Sequence, residues 1–339
     1  MKQVQRGGDN STNYQAEVIN AGISYRDARE IASDVYRENI PKFIEVAREA
    51  ALERAMHFSE KLLDGIPSET LESLKDPDVQ RALFFAQQEF ACSGDEELGG
   101  ILIDLLRKRM DSRQRDIKRL AIAESLKTAP KLSANHFSAL SALLLLTQTK
   151  LGVASIADLH GNLRAVLAPA VFGLNLSEAD LAYMEYTGCL SIQITSRSIG
   201  KMFLKNYKGA FSKGFTLDQI PEDVRSGIAP MLMPCLRDAE RVQLAAIDKE
   251  GVEGLIKKWG MGNYSQQVLN LLDVGIMSPD EIEEEFSALH PALHNLAQIF
   301  NSTQLKSCQL TTIGTTLAHA NLRRVAGEVF DADLEIWVN

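Results

Sequence analysis

The leading stretch, MKQVQRGGDNSTNYQAEVINAGI, is polar, aperiodic and unlike anything after it. Gly7-Gly8-Asp9-Asn10 is a strong turn signal. Its flanks are rich in Asn, Gln, Thr and Val and carry no apolar period of 3.6. A segment with so little apolar surface cannot build a core alone. It stays a tail, or it becomes a strand that is stable only when copies from several chains pair. In-register stacking of Asn, Gln and Thr would then satisfy backbone groups that one chain cannot. The expectation is a short N-terminal β tip over residues 1–23 that drives homo-oligomerisation. Asp9, Asn10, Thr12, Asn13, Tyr14 and Gln15 are its candidate contacts.

Helical periodicity takes over from Ser24. Ser24-Tyr25-Arg26-Asp27 has the form of a capping box. Ile31, Val35, Ile40, Phe43, Ala47, Ala50, Phe58 and Leu62 then recur as one apolar stripe, with Pro41 expected to kink or break it. Asp76-Pro77 starts the next helix, and Ser93-Gly94-Asp95 reads as a loop and cap. Leu98 to Leu126 reads as one helix, stopped by Pro130. Ser133 caps another running to about Lys150. Short connections between these helices imply an antiparallel bundle over 24–150.

From residue 151 to 339 the pattern becomes α+β. Cys189–Thr195 alternates as a strand does, Leu305–Thr311 reads as its hairpin partner, and Asp333–Val338 reads as a third strand of a small sheet. Helices are expected from Ser177, Ser278, Pro291 and Thr312. The fold class expected is mainly α: an N-terminal helical bundle, a C-terminal α+β part and the β tip. Helix, strand, strand, helix, closed by Leu310-Thr311-x-x-Gly314-x-x-Leu317, resembles the wing end of a winged-helix module, with residues 196–304 inserted between the two strands.

Totals bound the function. A chain of 339 residues suggests two or three domains, and 45% hydrophobic with 24% charged content is ordinary for a soluble globular protein. A net charge of −9 repels nucleic acid and anionic membranes, so nucleic-acid contact would need a local basic patch. The only basic concentration is Arg107 to Arg119, with Arg107, Arg109, Arg113 and Arg115 as candidate phosphate contacts. Asp104, Asp111 and Asp116 interleave with it and no aromatic residue does, which favours a solvated or intersubunit salt-bridged face.

Cys92, Cys189, Cys235 and Cys308 lack metal or redox spacing and read as free, mostly buried thiols in a reducing compartment. No apolar run approaches a bilayer crossing and no signal peptide is apparent, so the expectation is a cytoplasmic protein without a membrane partner. His290 and His294 lie four apart, but Pro291 stands where the helical zinc motif needs Glu, so His290 is expected just outside a helix and no metal site is assigned. GxSxG, P-loop, GxGxxG and EF-hand patterns are absent. No cofactor is expected and catalytic residues stay unassigned.

The prefix Gly8-Asp9-Asn10-Ser11-Thr12-Asn13-Tyr14-Gln15-Ala16 resembles N-terminal tags of bacterial conflict and phage-defence proteins. Ser24–Arg29, Gln87–Ala91, Ser93–Leu98, Ala129–Leu132, Glu185–Cys189, Ala318–Leu322 and Leu334–Val338 resemble segments of one uncharacterised bacterial family. That resemblance implies defence association but no activity. Three readings are open: a self-assembling scaffold or effector subunit, partnered with itself and with another defence protein; a winged-helix nucleic-acid-binding or regulatory protein; and a metal-dependent hydrolase without a recognisable motif, using His290, His294 or His319.

Overall fold

The computed structural model describes residues 45–112, 116–153 and 155–338. The chain divides into two compact units between Arg54 and Ala55. Of the first, residues 45–54 are described, and they are helical. The expected β tip with Asp9, Asn10, Thr12, Asn13, Tyr14 and Gln15, the capping box at Ser24 and the break at Pro41 lie outside the described residues.

The second unit begins with helix α1 (residues 55–63), which buries Phe58 and Leu62. Helix α2 (Pro77–Ser93) starts as its sequence predicts: Pro77 occupies the first turn and the Asp76 carboxylate accepts the Asp78 N–H at 2.9 Å. Gly94, at φ +64°, ends it in the left-handed conformation, and Asp95 caps α3 (Glu96–Asp111). The single helix expected over 98–126 is two. Ser112 is extended, and Asp116 opens α4 (Ile117–Thr128) by accepting the Arg119 N–H at 2.8 Å. The interleaved acids noted in the sequence therefore include an N-cap, and an N-cap starts a helix instead of continuing one.

Helix α5 (Ala134–Leu143) passes into a π-type turn over Leu144–Gln148. Then come α6 (Ile156–Asn162), α7 (Glu178–Tyr186), strand β1 (Leu190–Ile192) and α8 (Ile199–Tyr207). A smaller group is next: α9 (Glu222–Ile228), β2 (Leu232–Pro234), β3 (Val242–Leu244), α10 (Lys249–Lys258) and α11 (Ser265–Asn270). It closes its own apolar cluster around Phe215, Val224, Leu244, Val252 and Val268. The β2–β3 hairpin had no clear signal, because residues 199–250 are broken by glycines and prolines. The chain returns through α12 (Pro279–Ala288), α13 (Pro291–Ser302), strand β4 (Cys308–Leu310) and α14 (Thr312–Ala326). The architecture is mainly α, with short antiparallel strands.

The pairing of the segments near 190 and 308 is as expected. β1 and β4 run antiparallel with Leu190 opposite Leu310 and Ile192 opposite Cys308. The third strand is not there. Leu334–Ile336 is a 3₁₀ turn, capped by Asp333, which accepts the Glu335 N–H at 2.9 Å. Its buried residues, Leu334 and Val338, are four apart instead of alternating, and the Val338 N–H donates to the Leu334 carbonyl at 3.1 Å. Local hydrogen bonds satisfy this backbone, so no neighbouring strand is required.

Helix α14 is the axis of the larger core. Every residue from Gly314 to Leu322 is buried, and the helix packs on α3, α4 and α5. The Leu-Thr-x-x-Gly-x-x-Leu motif has a physical explanation here. The Thr311 hydroxyl accepts the Gly314 N–H at 3.1 Å and donates to the Gly188 carbonyl at 2.6 Å. A Cβ on Gly314 would fall 1.8 Å from the Cys189 carbonyl oxygen, so only glycine admits this approach.

Candidate functional site

Splitting the basic segment sends its side chains in three directions. Arg107 Nε donates to the Leu62 carbonyl at 3.2 Å, and its Nη2 donates to those of Lys61 and Asp64 at 2.7 and 2.8 Å. It thereby caps the carbonyl end of α1. Arg109, 2% exposed, pairs with Asp78, while its Nη1 has no hydrogen-bond partner. Arg119 reaches the same place, donating to Asp76 and Asp78 at 3.3 Å and to the Ser112 carbonyl at 2.7 Å. Arg113 and Arg115 lie outside the described residues. Of the four candidate phosphate contacts, the two described, Arg107 and Arg109, bond this chain's own groups.

Lys108 takes the third direction, toward α14. It pairs with Asp104 one turn earlier on α3, and its Nζ lies 2.8 Å from His319 Nδ1. The opposite ring nitrogen, Nε2, lies 2.7 Å from the Ala332 carbonyl oxygen. A carbonyl only accepts, so Nε2 carries the ring proton and Nδ1 is the acceptor facing Lys108. Phe330 and Trp337 stand edge-on to the ring with centroids 5.6 and 5.7 Å away. The Trp337 indole donates to the Gln148 carbonyl at 3.0 Å, pinning this wall. Burial, and then the Lys108 charge, push the His319 pKa down to about 3, so the ring is neutral near pH 7. Burial also lowers the Lys108 pKa, against the pull of Asp104.

These groups open into a cleft of about 700 Å³, a size typical of small-ligand sites. Around it Arg323 bonds Asp331 at 3.1 Å with Asp104 3.7 Å away, and Lys118 bonds Glu335 at 2.5 Å. A lowered-pKa amine beside a fixed neutral imidazole and a carboxylate, all facing a polar cleft, can exchange protons or attack an electrophile.

Sequence reasoning named His319 without a partner and did not single out Lys108, and 211 positions separate the pair. Two other histidines likewise find distant partners. His136 Nε2 meets Asp180 at 3.2 Å and His160 Nε2 meets Glu285 at 2.8 Å. His290 caps α13 by accepting the Ala292 N–H at 3.1 Å, as the placement of Pro291 predicts. Cys189, Cys235 and Cys308 are buried free thiols; burial raises Cys189 and pushes Cys308 to about 12, so neither is a ready nucleophile. Among the described residues no group of three or more His, Cys, Asp or Glu is placed to hold a metal ion. No described helix is long and apolar enough to cross a membrane.

A family model bearing only the description ":-like" matches residues 22–338, and the chain belongs to that family. Comparison with curated proteins finds no match, and comparison with solved structures finds none.

Proposed function

We propose that the chain is a cytoplasmic, homo-oligomeric effector or scaffold subunit of a bacterial antiviral defence system, acting with another protein of that system. In this reading residues 1–23 join copies, and the unit from Ala55 onward is the folded element they gather. The observation that supports it is the extent of that unit's larger core, which runs, among the described residues, from Phe58 to Val338. The polar prefix, with its likeness to defence-protein tags, supplies the rest of the support. Sedimentation of the full chain across a wide concentration range tests this. A particle heavier than one chain is expected, and a monomer at every concentration contradicts it.

A second observation bears on what the gathered element does. The cleft beside Lys108 and His319 is the described cavity in which buried, chemically active side chains meet open space of ligand size. It is read as the binding site for a small charged ligand, the signal or substrate of the effector.

A further inference from the structure

The Lys108 amine has an arrangement that a purely structural ion pair does not require. Two acceptors, the Asp104 carboxylate and His319 Nδ1, flank its nitrogen. A neutral amine has two N–H bonds and one lone pair. With one hydrogen directed at each acceptor, the lone pair is left for a third direction, and the surroundings include the open cleft, whose lining mixes the cations Lys108, Lys118 and Arg323 with carboxylates such as Asp104, Asp333 and Glu335. The Ala332 carbonyl fixes the ring so that Nδ1 faces the amine, and burial with the Lys108 charge opposes protonation of that nitrogen. A nucleophilic lysine needs this kind of environment: partial burial, fixed acceptors and access to a carbonyl carbon.

We propose that Lys108 is an imine-forming residue and that the ligand of this cleft is a small 2-oxo acid. This rests on the cleft being a ligand site and adds the class of ligand and the residue that bonds it. The keto carbon meets Lys108 Nζ, and the adjacent carboxylate meets Arg323, whose guanidinium is shared between Asp331 at 3.1 Å and Asp104 at 3.7 Å and is partly open to solvent. The ammonium first gives a proton to Asp104. The nitrogen lone pair then attacks the keto carbon, forming a C–N bond while the C=O π pair moves to oxygen. The new N–H2+ group passes one proton to that oxygen, and Asp104 returns the other as the C–O bond breaks and the oxygen leaves as water. The ammonium and the keto group become a protonated imine and one water, with no oxidant or further reactant. Asp104 and His319 act as positioning residues, and Asp104 also carries the proton.

The test uses the full chain incubated with pyruvate and then borohydride, with acetaldehyde as the comparison probe and the adduct located by peptide mass mapping. Lys118, on the same cleft but tied to Glu335, is an internal control. The expected result is a reduced adduct at Lys108 in several-fold excess over Lys118, formed from pyruvate more completely than from acetaldehyde. Arg323→Met should remove the preference for pyruvate while retaining reaction with acetaldehyde, a readout that a merely structural Arg323 would not move. Adduct at Lys108 no greater than at Lys118, or acetaldehyde reacting as completely as pyruvate, overturns the proposal. Thermal melting of the same samples separates the two layers. A melting shift with pyruvate but no Lys108 adduct leaves the cleft a ligand site and removes the imine; neither shift nor adduct removes both.

Discussion

Lys108 on α3 and His319 on α14 meet at 2.8 Å across the wall of the polar cleft, with the imidazole turned by its bond to the Ala332 carbonyl so that only its unprotonated nitrogen faces the amine. The contact ties two helices of the larger core and fixes a protonation state, which gives a pH signature. An unfolded histidine titrates near 6.5, while His319 in the fold is held down to about 3. Below about pH 6.5 the unfolded chain binds a proton that the folded chain refuses. The stability is therefore complete above that pH and is lost as pH falls toward the folded value. Urea unfolding should lose about 2 kcal/mol between about pH 6.5 and 5 from this group alone. His319→Gln should flatten the slope over that window, and parallel slopes would remove the assignment.

The approach of Gly314 to Cys189 gives a second expectation. Gly314→Ala places a methyl group against the Cys189 carbonyl oxygen, which is backbone and cannot swing aside. A loss of about 3 kcal/mol is expected from such overpacking. Thr311→Ala, which removes the cap and the bond to Gly188, should lose about 1 kcal/mol. Denaturant midpoints measure both, and the order of the two is the informative result.

Arg109 predicts a stability effect where a surface basic patch would predict a binding effect. It is buried on Asp78, so Arg109→Ala opens a void, while Asp78 keeps Arg81 and Arg119. About 2 kcal/mol should be lost, mainly from the void. Calorimetric melting checks this; an unchanged melting temperature would make Arg109 a free surface cation after all.

Arg237 and Glu285 form a bidentate pair, 2.7 and 2.9 Å, with His160 on the same carboxylate at 2.8 Å. Burial raises the Glu285 pKa, but the hydrogen bonds and charge of Arg237 outweigh it and the net direction is down. Arg237→Met leaves that carboxylate with His160 alone and should cost about 2 kcal/mol at neutral pH. The deficit should shrink as pH falls through the carboxylate range, because protonation removes the charge that Arg237 balanced.

These residues also show how far the sequence could be read. Asp76-Pro77, Ser177-x-x-Asp180, Ser278-x-x-Glu281 and His290-Pro291 announce helix starts because a cap and the backbone N–H it accepts lie within four residues. The β1–β4 pairing was legible from alternation on both sides. The break between Asp111 and Ile117 was hidden because Met110 and Ile117 stand seven apart, a helical spacing, on either side of a polar run, and the Leu334–Val338 turn because five residues with Ile, Trp and Val read as a strand. The cleft was not legible. Asp104 and Lys108 share a turn, but His319, Ala332 and Glu335 reach them only through the fold of α14 against α3, and pairs so distant leave no local spacing.

Light scattering on the full chain beside a form beginning at residue 24 tests whether the leading residues join copies of a self-sufficient body. A multiple of the single-chain mass is expected for the full chain, and a smaller, still folded particle for the shortened one. Equal masses corresponding to one chain each would contradict that role for residues 1–23.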